Sequence, residues 1–303
     1  MPKIVLFGYS GSGKTALFYA LTGRKEETYD PFAPKTGKGR YKDTTIDTLA
    51  EIHQAKKQVY PELDIFYFKG FPAASGFPAR FFDVFFEMDM ILCVVNNFDE
   101  VSDPQKDASS LLMELILYDT EKIQALLKKQ EEGAAAITSQ QAEILARALR
   151  LLDEERLLNE LPDTDKTAIY GIQLLTVKKI FFYARGDRRS FAFPAGIPYL
   201  MQKETDNALF FPAVLKALSY ITFYTVKGGI AQGWVIPAGC AAKQAAGRIH
   251  KDIEKGFIKA VAIPAKTLFE IGSWQAAKHS GALKTLGQHS LISDGDVVEF
   301  YFR

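Results

Sequence analysis

The chain opens with an apolar segment of strand length, followed by small residues and then by a helical pattern. Residues 3–7, KIVLF, are apolar and β-branched, which is typical of a strand buried on both faces. Residues 16–21, ALFYAL, are good helix formers with an apolar face. Residues 8–15, GYSGSGKT, lie between them. The pattern therefore predicts a strand, a tight loop and a helix in that order.

Apolar runs continue as far as residue 98 and return near residue 178. Three of them have strand length, at residues 63–70, 88–98 and 178–187. Residues 44–55 and 80–87 have the pattern of short helices. Residues 23–41 are charged and interrupted by Pro and Gly, which predicts a mobile loop. Together these elements predict an alternating α/β core.

Residues 107–161 have a different periodicity, with apolar residues at helical spacing. These are Leu112, Leu115, Ile116, Ile123, Leu126, Leu127, Ile144, Leu145, Ala148, Leu151 and Leu152. Gly133 predicts the end of one helix, and Thr138 with Gln141 predicts a capping box at the start of the next. We therefore expect an inserted helical hairpin with solvated outer faces.

The last part of the chain has the pattern of a small α+β unit. Two strand-like runs flank a Gly-Gly turn at residues 228–229, a helix is predicted over 240–257, and strands follow up to residue 302. The segment is long enough to fold around its own core.

Composition limits the classes of function. The 303 residues include 37 basic and 36 acidic side chains, so no global positive field indicates nucleic acid binding. Cys93 and Cys240 are expected to be separate reduced thiols, as in a cytoplasmic protein. No apolar stretch has the length needed to span a bilayer, and the chain begins in a strand rather than a signal peptide. We therefore expect a cytoplasmic protein with no membrane partner.

The tight loop matches G-x-x-x-x-G-K-[ST], the phosphate-binding loop, in the strand–loop–helix context that the motif requires. Small residues let successive N–H groups turn toward a phosphate, and the helix N-terminus adds partial positive charge. Lys14 would bridge the terminal phosphates, and the Thr15 hydroxyl would hold Mg²⁺. The predicted ligand residues are Gly8, Gly11, Ser12, Gly13, Lys14 and Thr15.

The C-terminal segment resembles a known family. Residues 246–260, AGRIHKDIEKGFIKA, and residues 292–302, ISDGDVVEFYF, are similar to the C-terminal TGS domain of the YchF (Obg-like ATPase) family. Residues 174–184 resemble the strand before that family's base-recognition motif, and the order of domains agrees. The resemblance implies a Ras-like P-loop NTPase core of α/β class, an inserted α-helical hairpin, and a small C-terminal α+β TGS domain of ubiquitin-like fold. The implied boundaries are 1–104 and 166–216 for the core, 105–165 for the hairpin and 217–303 for the TGS-like domain.

Members of that family bind and slowly hydrolyse purine nucleotides and are associated with ribosomes. The resemblance therefore implies ATP or GTP with Mg²⁺ as ligands, and a ribosome or RNA partner contacted through the TGS-like domain. Arg248, His250, Lys251 and Lys255 are candidates for that contact. The alternative is an ordinary surface helix, since Asp252 and Glu254 balance the charge; neither alternative is favoured.

The chain departs from the family pattern at the motif D-x-x-G, whose Asp orders the Mg²⁺ shell. The register places Tyr67 at the Asp position, followed by Phe68, Lys69, Gly70 and Phe71. Gly70 is retained and would offer its N–H to a γ-phosphate. Asp64 is a poor substitute, because an odd spacing puts it on the opposite strand face from Tyr67.

Two further motifs differ. Pro34 stands where a Thr would close over Mg²⁺, and Thr36 would replace it only with a shifted loop. The base-recognition motif reads Ala184-Arg185-Gly186-Asp187-Arg188, in which Asp187 is either a slipped guanine ligand or, as the sequence favours, a solvated carboxylate. Pro194–Gly196 stands where the family has S-A-K.

The sequence therefore predicts nucleotide binding with very slow or absent hydrolysis, since positioning and charge stabilisation drive phosphoryl transfer. It assigns no catalytic residue and leaves ATP against GTP open. The alternative is a non-catalytic ribosome or RNA-binding adaptor with a degenerate G domain. A small-nucleotide sensor is a third reading.

Overall fold

The computed structural model describes residues 1–24, 34–68, 70–71, 76–134, 137–203 and 206–303. Contacts divide the chain into two compact units. The phosphate-loop unit comprises residues 2–39 and 64–206, and the C-terminal unit comprises residue 1 with residues 40–63 and 207–303.

Two six-stranded sheets contain the described strands. The strands are β1 Lys3–Phe7, β2 Lys35–Arg40, β3 Lys57–Val59, β4 Glu62–Tyr67, β5 Met90–Asn96, β6 Lys179–Arg185, β7 Tyr199–Gln202, β8 Tyr220–Lys227, β9 Ile230–Pro237, β10 Phe257–Pro264, β11 Lys284–Leu286 and β12 Asp296–Phe302. The α-helices are α1 Lys14–Thr22, α2 Thr44–Ile52, α3 Pro104–Glu131, α4 Ser139–Asp153, α5 Asp163–Ala168, α6 Asn207–Leu218, α7 Ala242–Ile249, α8 Lys251–Lys255, α9 Ala265–Ile271 and α10 Trp274–His279. Short 3₁₀ helices span Ala79–Glu87, Leu158–Glu160 and Tyr170–Ile172.

The first sheet has the order β2-β4-β1-β5-β6-β7. The pairs β1–β4, β1–β5, β5–β6 and β6–β7 are parallel. Every residue of β5 is buried, as is nearly all of β1. The predicted strands 3–7, 63–70, 88–98 and 178–187 are confirmed, and their continuous apolar runs reflect burial on both faces. Because all these strands run the same way, their carboxyl ends meet at one edge.

The predicted loop 23–41 is wrong at its end, because residues 35–40 form the edge strand β2. A Cβ on Gly37 would lie 2.6 Å from the Thr22 Cγ2 and 3.0 Å from the Phe18 Cζ. The strand therefore packs closer to α1 than a residue with a side chain allows. Two of the six residues of β2 are glycine, which has a low β-strand propensity, so the sequence pattern does not predict this strand. Residues 25–33, the rest of that prediction, lie outside the described residues.

The predicted helix 80–87 is a 3₁₀ helix that packs aromatic rings onto the sheet. Phe81, Phe82 and Phe85 are buried, and the Phe85 ring lies 5.5 Å from the Phe7 ring. The phenylalanine-rich segment is therefore part of the hydrophobic core. Its rings make the edge-to-face contacts that aromatic side chains prefer.

Helices α3 and α4 form the predicted hairpin, and its end signals are confirmed. The Thr138 N–H donates to the Gln141 Oε1 at 3.0 Å, and the Gln141 N–H donates to the Thr138 Oγ1 at 3.2 Å. Gly133 has a left-handed φ of 70° just beyond α3. These reciprocal contacts satisfy N–H groups that the first turn of α4 leaves without helical partners.

The C-terminal unit contains the second sheet, of order β11-β10-β12-β8-β9-β3. Strands β8 and β9 are antiparallel around Gly228 and Gly229, whose φ values of 59° and 74° confirm the predicted Gly-Gly turn. Helix α2 packs Ile46 and Leu49 in the same unit's core.

The predicted helix 240–257 is interrupted, and it forms α7 and α8 instead. His250 adopts an extended conformation between them, with φ of −161°, and its Nδ1 accepts the N–H of Asp252 at 3.2 Å. The side chain thereby caps α8, so His250 ends one helix and begins the next.

The structure also bears on membrane association and on domain grouping. No helix among the described residues is both long and apolar enough to cross a bilayer. Residues 40–63 group by contact with the C-terminal unit, whereas the predicted four-part division follows chain order. That division stays a prediction.

Candidate phosphate-binding site

The loop between β1 and α1 is built on glycines with positive φ. Gly8, Gly11 and Gly13 have φ values of 153°, 84° and 94°. A Cβ on Gly8 would lie 2.5 Å from the Val94 carbonyl oxygen, so glycine is required there. Gly13 is the N-cap of α1 and has no side-chain cap, which leaves the first N–H groups of the helix for another acceptor.

A cavity of about 460 Å³ opens over this loop. Its described lining consists of Ser10, Gly11, Ser12, Gly13, Lys14, Thr15, Ala16, Tyr19, Lys35, Tyr67, Gly70, Phe98 and Arg185. The structure therefore brings six of the seven predicted ligand residues together. Gly8 lies off the cavity wall, against β5.

Lys14 lies at the base of the cavity and is 4% exposed. Its ammonium donates to the Tyr9 carbonyl oxygen at 2.6 Å and to the Ser12 Oγ at 3.2 Å. Burial lowers the Lys14 pKa to about 7. Both acceptors are neutral, and no carboxylate belongs to the described lining. A buried cation in this position is compensated electrostatically when an anion enters.

Gly70 lies directly against the loop. A Cβ at this position would be 2.5 Å from the Lys14 Nζ and 2.6 Å from the Tyr9 carbonyl carbon. The Ser10 N–H donates to the Phe71 carbonyl oxygen at 2.9 Å, which ties the segment after β4 to the loop. The role of Gly70 as a phosphate sensor stays a prediction. Lys69, the preceding residue, lies outside the described residues.

The Tyr67 hydroxyl lies beside the Thr15 hydroxyl. The two hydroxyls are hydrogen-bonded to each other. The Tyr67 ring is 4% exposed and stacks on Phe18 at 5.4 Å, so packing holds the hydroxyl in place. Burial alternates along β4, and Asp64 lies on the opposite face from Tyr67, as predicted.

Two cationic side chains complete the cavity, and sequence reasoning did not place them there. The Lys35 Nζ lies 3.2 Å from the Tyr19 hydroxyl. Arg185 lies over the start of α1, since its Cδ would be 3.3 Å from a Cβ on Gly13, and its guanidinium lies 5.7 Å from the Phe98 ring centroid. In the sequence, Arg185 is recognisable only as a replacement in the base-recognition motif. No motif around Pro34 indicates that Lys35 enters the cavity.

The loop after β6 turns Asp187 away from the cavity. Gly186 has φ of 105°, and a Cβ there would lie 2.2 Å from the Asn97 carbonyl oxygen. The Asn97 amide donates to the Arg189 carbonyl oxygen at 3.0 Å and fixes the loop. The Asp187 side chain is 63% exposed and lies 4.0 Å from Lys203. It is a solvated carboxylate, the reading that the sequence favoured.

The described cavity residues do not fit a Mg²⁺ ion. Protein-bound Mg²⁺ takes carboxylate oxygens together with substrate phosphates and water. The described lining offers the Thr15 hydroxyl, which is bonded to Tyr67, and no carboxylate. Thr36 is exposed and does not line the cavity. Nowhere in the described ranges do three or more His, Cys, Asp or Glu side chains form a metal-binding group.

Comparison with known proteins gives one assignment along the whole chain. The family model YchF-GTPase_C, described as a protein of unknown function (DUF933), matches residues 220–303. The chain is 27% identical to the "Ribosome-binding ATPase YchF" of Mycoplasma genitalium, with 98% of each chain covered. The chain is therefore similar to proteins of the YchF family along its whole length. This confirms the resemblance described above.

Further proteins of the YchF family are similar to the chain over nearly its whole length. The chain is 26% identical to the "Ribosome-binding ATPase YchF" of Escherichia coli O157:H7, with 99% of each covered. It is 23% identical to "Obg-like ATPase 1" of Schizosaccharomyces pombe, with 98% of this chain and 93% of that one covered. A structure of the Schizosaccharomyces pombe YchF GTPase superposes with a TM-score of 0.80 at 21% identity, over 99% and 97% of the two chains. The predicted fold class is confirmed.

Proposed function

We propose that this YchF-family chain binds a purine nucleoside triphosphate over its phosphate loop, hydrolyses it slowly or not at all, and acts on the ribosome in the cytoplasm. The names of its relatives support a ribosome-associated nucleotide-binding protein. The surroundings of Lys14 carry the proposal. Its ammonium group is buried, and its hydrogen-bond acceptors among the described residues are neutral.

The loop supplies three features that favour a phosphate chain. Glycines with positive φ bring backbone N–H groups close to the ligand, and the uncapped N-terminus of α1 adds partial positive charge. Lys14 adds an ammonium group whose charged form an entering anion stabilises. Lys14 is itself buried, so its interaction with an anion is weakly screened.

The cavity offers little for turnover. Phosphoryl transfer depends on groups that position the attacking water and stabilise developing charge. Tyr67 stands where the family's D-x-x-G motif has its Asp, and no carboxylate lines the described cavity. We therefore assign binding residues and no catalytic residue.

Calorimetric titration with non-hydrolysable ATP and GTP analogues tests binding and base selectivity. We expect Lys14→Ala to abolish binding, because it removes the charge that meets the phosphates. Lys128→Ala, an exposed residue of α3, removes the same charge elsewhere and should bind normally. Retention of full affinity in Lys14→Ala would contradict the proposal. Phosphate release over hours then measures turnover.

We assign the ribosome contact to the C-terminal unit. Arg248, Lys251 and Lys255 are exposed, and exposed cations are suited to RNA phosphates. Arg248→Glu with Lys255→Glu should reduce cosedimentation with ribosomes. The matched control is Lys266→Glu with Lys278→Glu, two exposed lysines of the same unit. Equal loss in both pairs would indicate a non-specific charge effect and contradict the assignment.

A non-catalytic adaptor on the ribosome is the second candidate. The observation that favours it is the contact between Tyr67 and Thr15, which occupies the hydroxyl that would ligate a metal ion. Ribosome cosedimentation of Lys14→Ala separates the two candidates. An adaptor keeps its ribosome binding without the phosphate-loop cation, whereas a nucleotide-controlled protein loses it or no longer responds to nucleotide.

A further inference from the structure

We propose that the phosphate chain is neutralised by Lys14, Lys35 and Arg185 and is bound without a metal ion. The inference rests on the proposed function and deepens it. It names Lys35 and Arg185 as phosphate ligands and makes binding independent of Mg²⁺.

The first support is the position of the Tyr67 hydroxyl. It is hydrogen-bonded to the Thr15 hydroxyl, on the side chain that a phosphate loop uses for Mg²⁺. The ring is buried and stacked on Phe18, so withdrawing the hydroxyl would expose aromatic surface and disturb the contact between β4 and α1.

The second support is the charge of the cavity. Among its described residues, Lys14, Lys35 and Arg185 are cationic and none is acidic. Carboxylates attract Mg²⁺, whereas a cluster of cations repels it and attracts phosphate. Lys35 and Arg185 together carry the same charge as one Mg²⁺, so they would replace the neutralisation that the ion supplies in related enzymes.

The third support is the reach of the two side chains. Lys35 approaches from β2, where its Nζ contacts the Tyr19 hydroxyl at 3.2 Å. Arg185 approaches from the carboxyl end of β6 and lies over Gly13, at the N-terminus of α1. The two cations thus line the same cavity from separate strands. The planar guanidinium is suited to two parallel hydrogen bonds with phosphate oxygens.

The test is titration of the full chain with non-hydrolysable ATP and GTP analogues and with inorganic tripolyphosphate, in EDTA and in excess Mg²⁺. We expect Kd in EDTA to be equal to or lower than Kd in Mg²⁺, because chelation of Mg²⁺ reduces the ligand's negative charge. A Kd that falls by about tenfold or more when Mg²⁺ is added would overturn the inference and leave the proposed function standing. Absence of binding in both buffers would overturn both.

Variants identify the residues that replace the ion. Lys35→Gln and Arg185→Gln should each raise Kd in EDTA by about tenfold, the size of one charge-assisted hydrogen bond. The matched controls, Lys38→Gln on β2 and Arg150→Gln on α4, remove exposed charges outside the cavity and should leave Kd unchanged. Unchanged Kd in both cavity variants would overturn the assignment.

Tyr67→Asp restores a carboxylate beside Thr15 and should make binding Mg²⁺-dependent, if the protein folds. Tyr67→Phe keeps the ring and removes the hydroxyl, and should retain binding in EDTA. Loss of metal-free binding in a folded Tyr67→Phe variant would contradict the inference, because the hydroxyl only blocks the metal position.

Discussion

Two buried charges in the phosphate-loop unit differ in whether the fold encloses them or leaves them facing a cavity. Lys14 is 4% exposed and Asp119, on α3, is 0% exposed. The Asp119 carboxylate accepts the N–H of Leu175 at 2.8 Å, and the N–H and hydroxyl of Thr176 at 2.7 and 2.6 Å. Lys14 donates only to neutral oxygens in the described structure.

The difference separates a structural charge from a binding charge. Asp119 receives its donors from the protein and ties the hairpin to the chain before β6, so its interactions are complete after folding. Lys14 lies at the base of an open cavity, and its charge is compensated only by an anion from outside. A buried charge that faces an open cavity therefore marks a binding site, whereas one enclosed by donors from the fold marks a structural contact.

The largest expected effect is on ligand affinity in Lys14→Met, which keeps the length of the side chain and removes its charge. Phosphate-chain affinity should fall about 1,000-fold, or about 4 kcal/mol, since the buried charge pair is lost. The free energy of unfolding of the ligand-free protein should be unchanged or higher, because burial no longer penalises a cation. Calorimetry and urea unfolding measure the two. A large loss of stability would place Lys14 in the same class as Asp119.

Asp119→Ala should reverse that pattern. It leaves three buried donors without an acceptor and should reduce the free energy of unfolding by about 3 kcal/mol. Ligand affinity of the folded fraction should be unaffected. Asp153→Ala, at an exposed position of α4, is the matched control and should change neither quantity. If Asp119→Ala were as stable as the control, its hydrogen bonds would not support the fold.

Gly70→Ala tests Lys14 in another way, because the added methyl group perturbs the lysine by steric contact and leaves its charge in place. The new Cβ would lie 2.5 Å from the Lys14 Nζ, so we expect ligand affinity to fall with a cost of about 2 kcal/mol. Gly171→Ala has open space and should be neutral in the same titration. Equal affinity in the two variants would show that the segment after β4 moves freely from the loop.

The effect that is smallest at each step of the measurement is the pH dependence of the Asp119 contact. Burial raises the Asp119 pKa to about 6 despite its three donors, so the folded chain binds more protons than the unfolded chain between pH 4 and 6. The stabilisation is complete below the unfolded pKa and is lost as the pH rises through 6. Relative to Asp119→Asn, the wild-type free energy of unfolding should fall by about 1 kcal/mol per pH unit in this range. Urea unfolding at several pH values measures it, and a rise instead would mean that the donors outweigh burial.

Much of the local structure was predictable because its signals are short-range. The strand–loop–helix around Lys14, the capping box at Thr138 and the Gly228–Gly229 turn depend on neighbouring residues, and all three are confirmed. Strand β2 was missed because two of its six residues are glycine and because Gly37 packs against α1 through contacts that propensity does not contain. The break at His250 was missed for a related reason, since a side-chain cap replaced a continuous helical pattern.

The sequence by itself determined the phosphate loop, the helical hairpin, the Gly-Gly turn between β8 and β9 and the resemblance to the YchF family. Their signals lie in contiguous residues, where spacing and glycine content specify the backbone. Only the tertiary structure decided what surrounds the loop. The Tyr67 hydroxyl reaches Thr15 across a separation of 52 residues, and Lys35 and Arg185 arrive from two other strands. Tyr67 and Arg185 meet there because the parallel strands β4 and β6 end at one edge of the sheet, and the edge strand β2 brings Lys35 to the same cavity with its first residue. Pattern along the chain does not specify these relations.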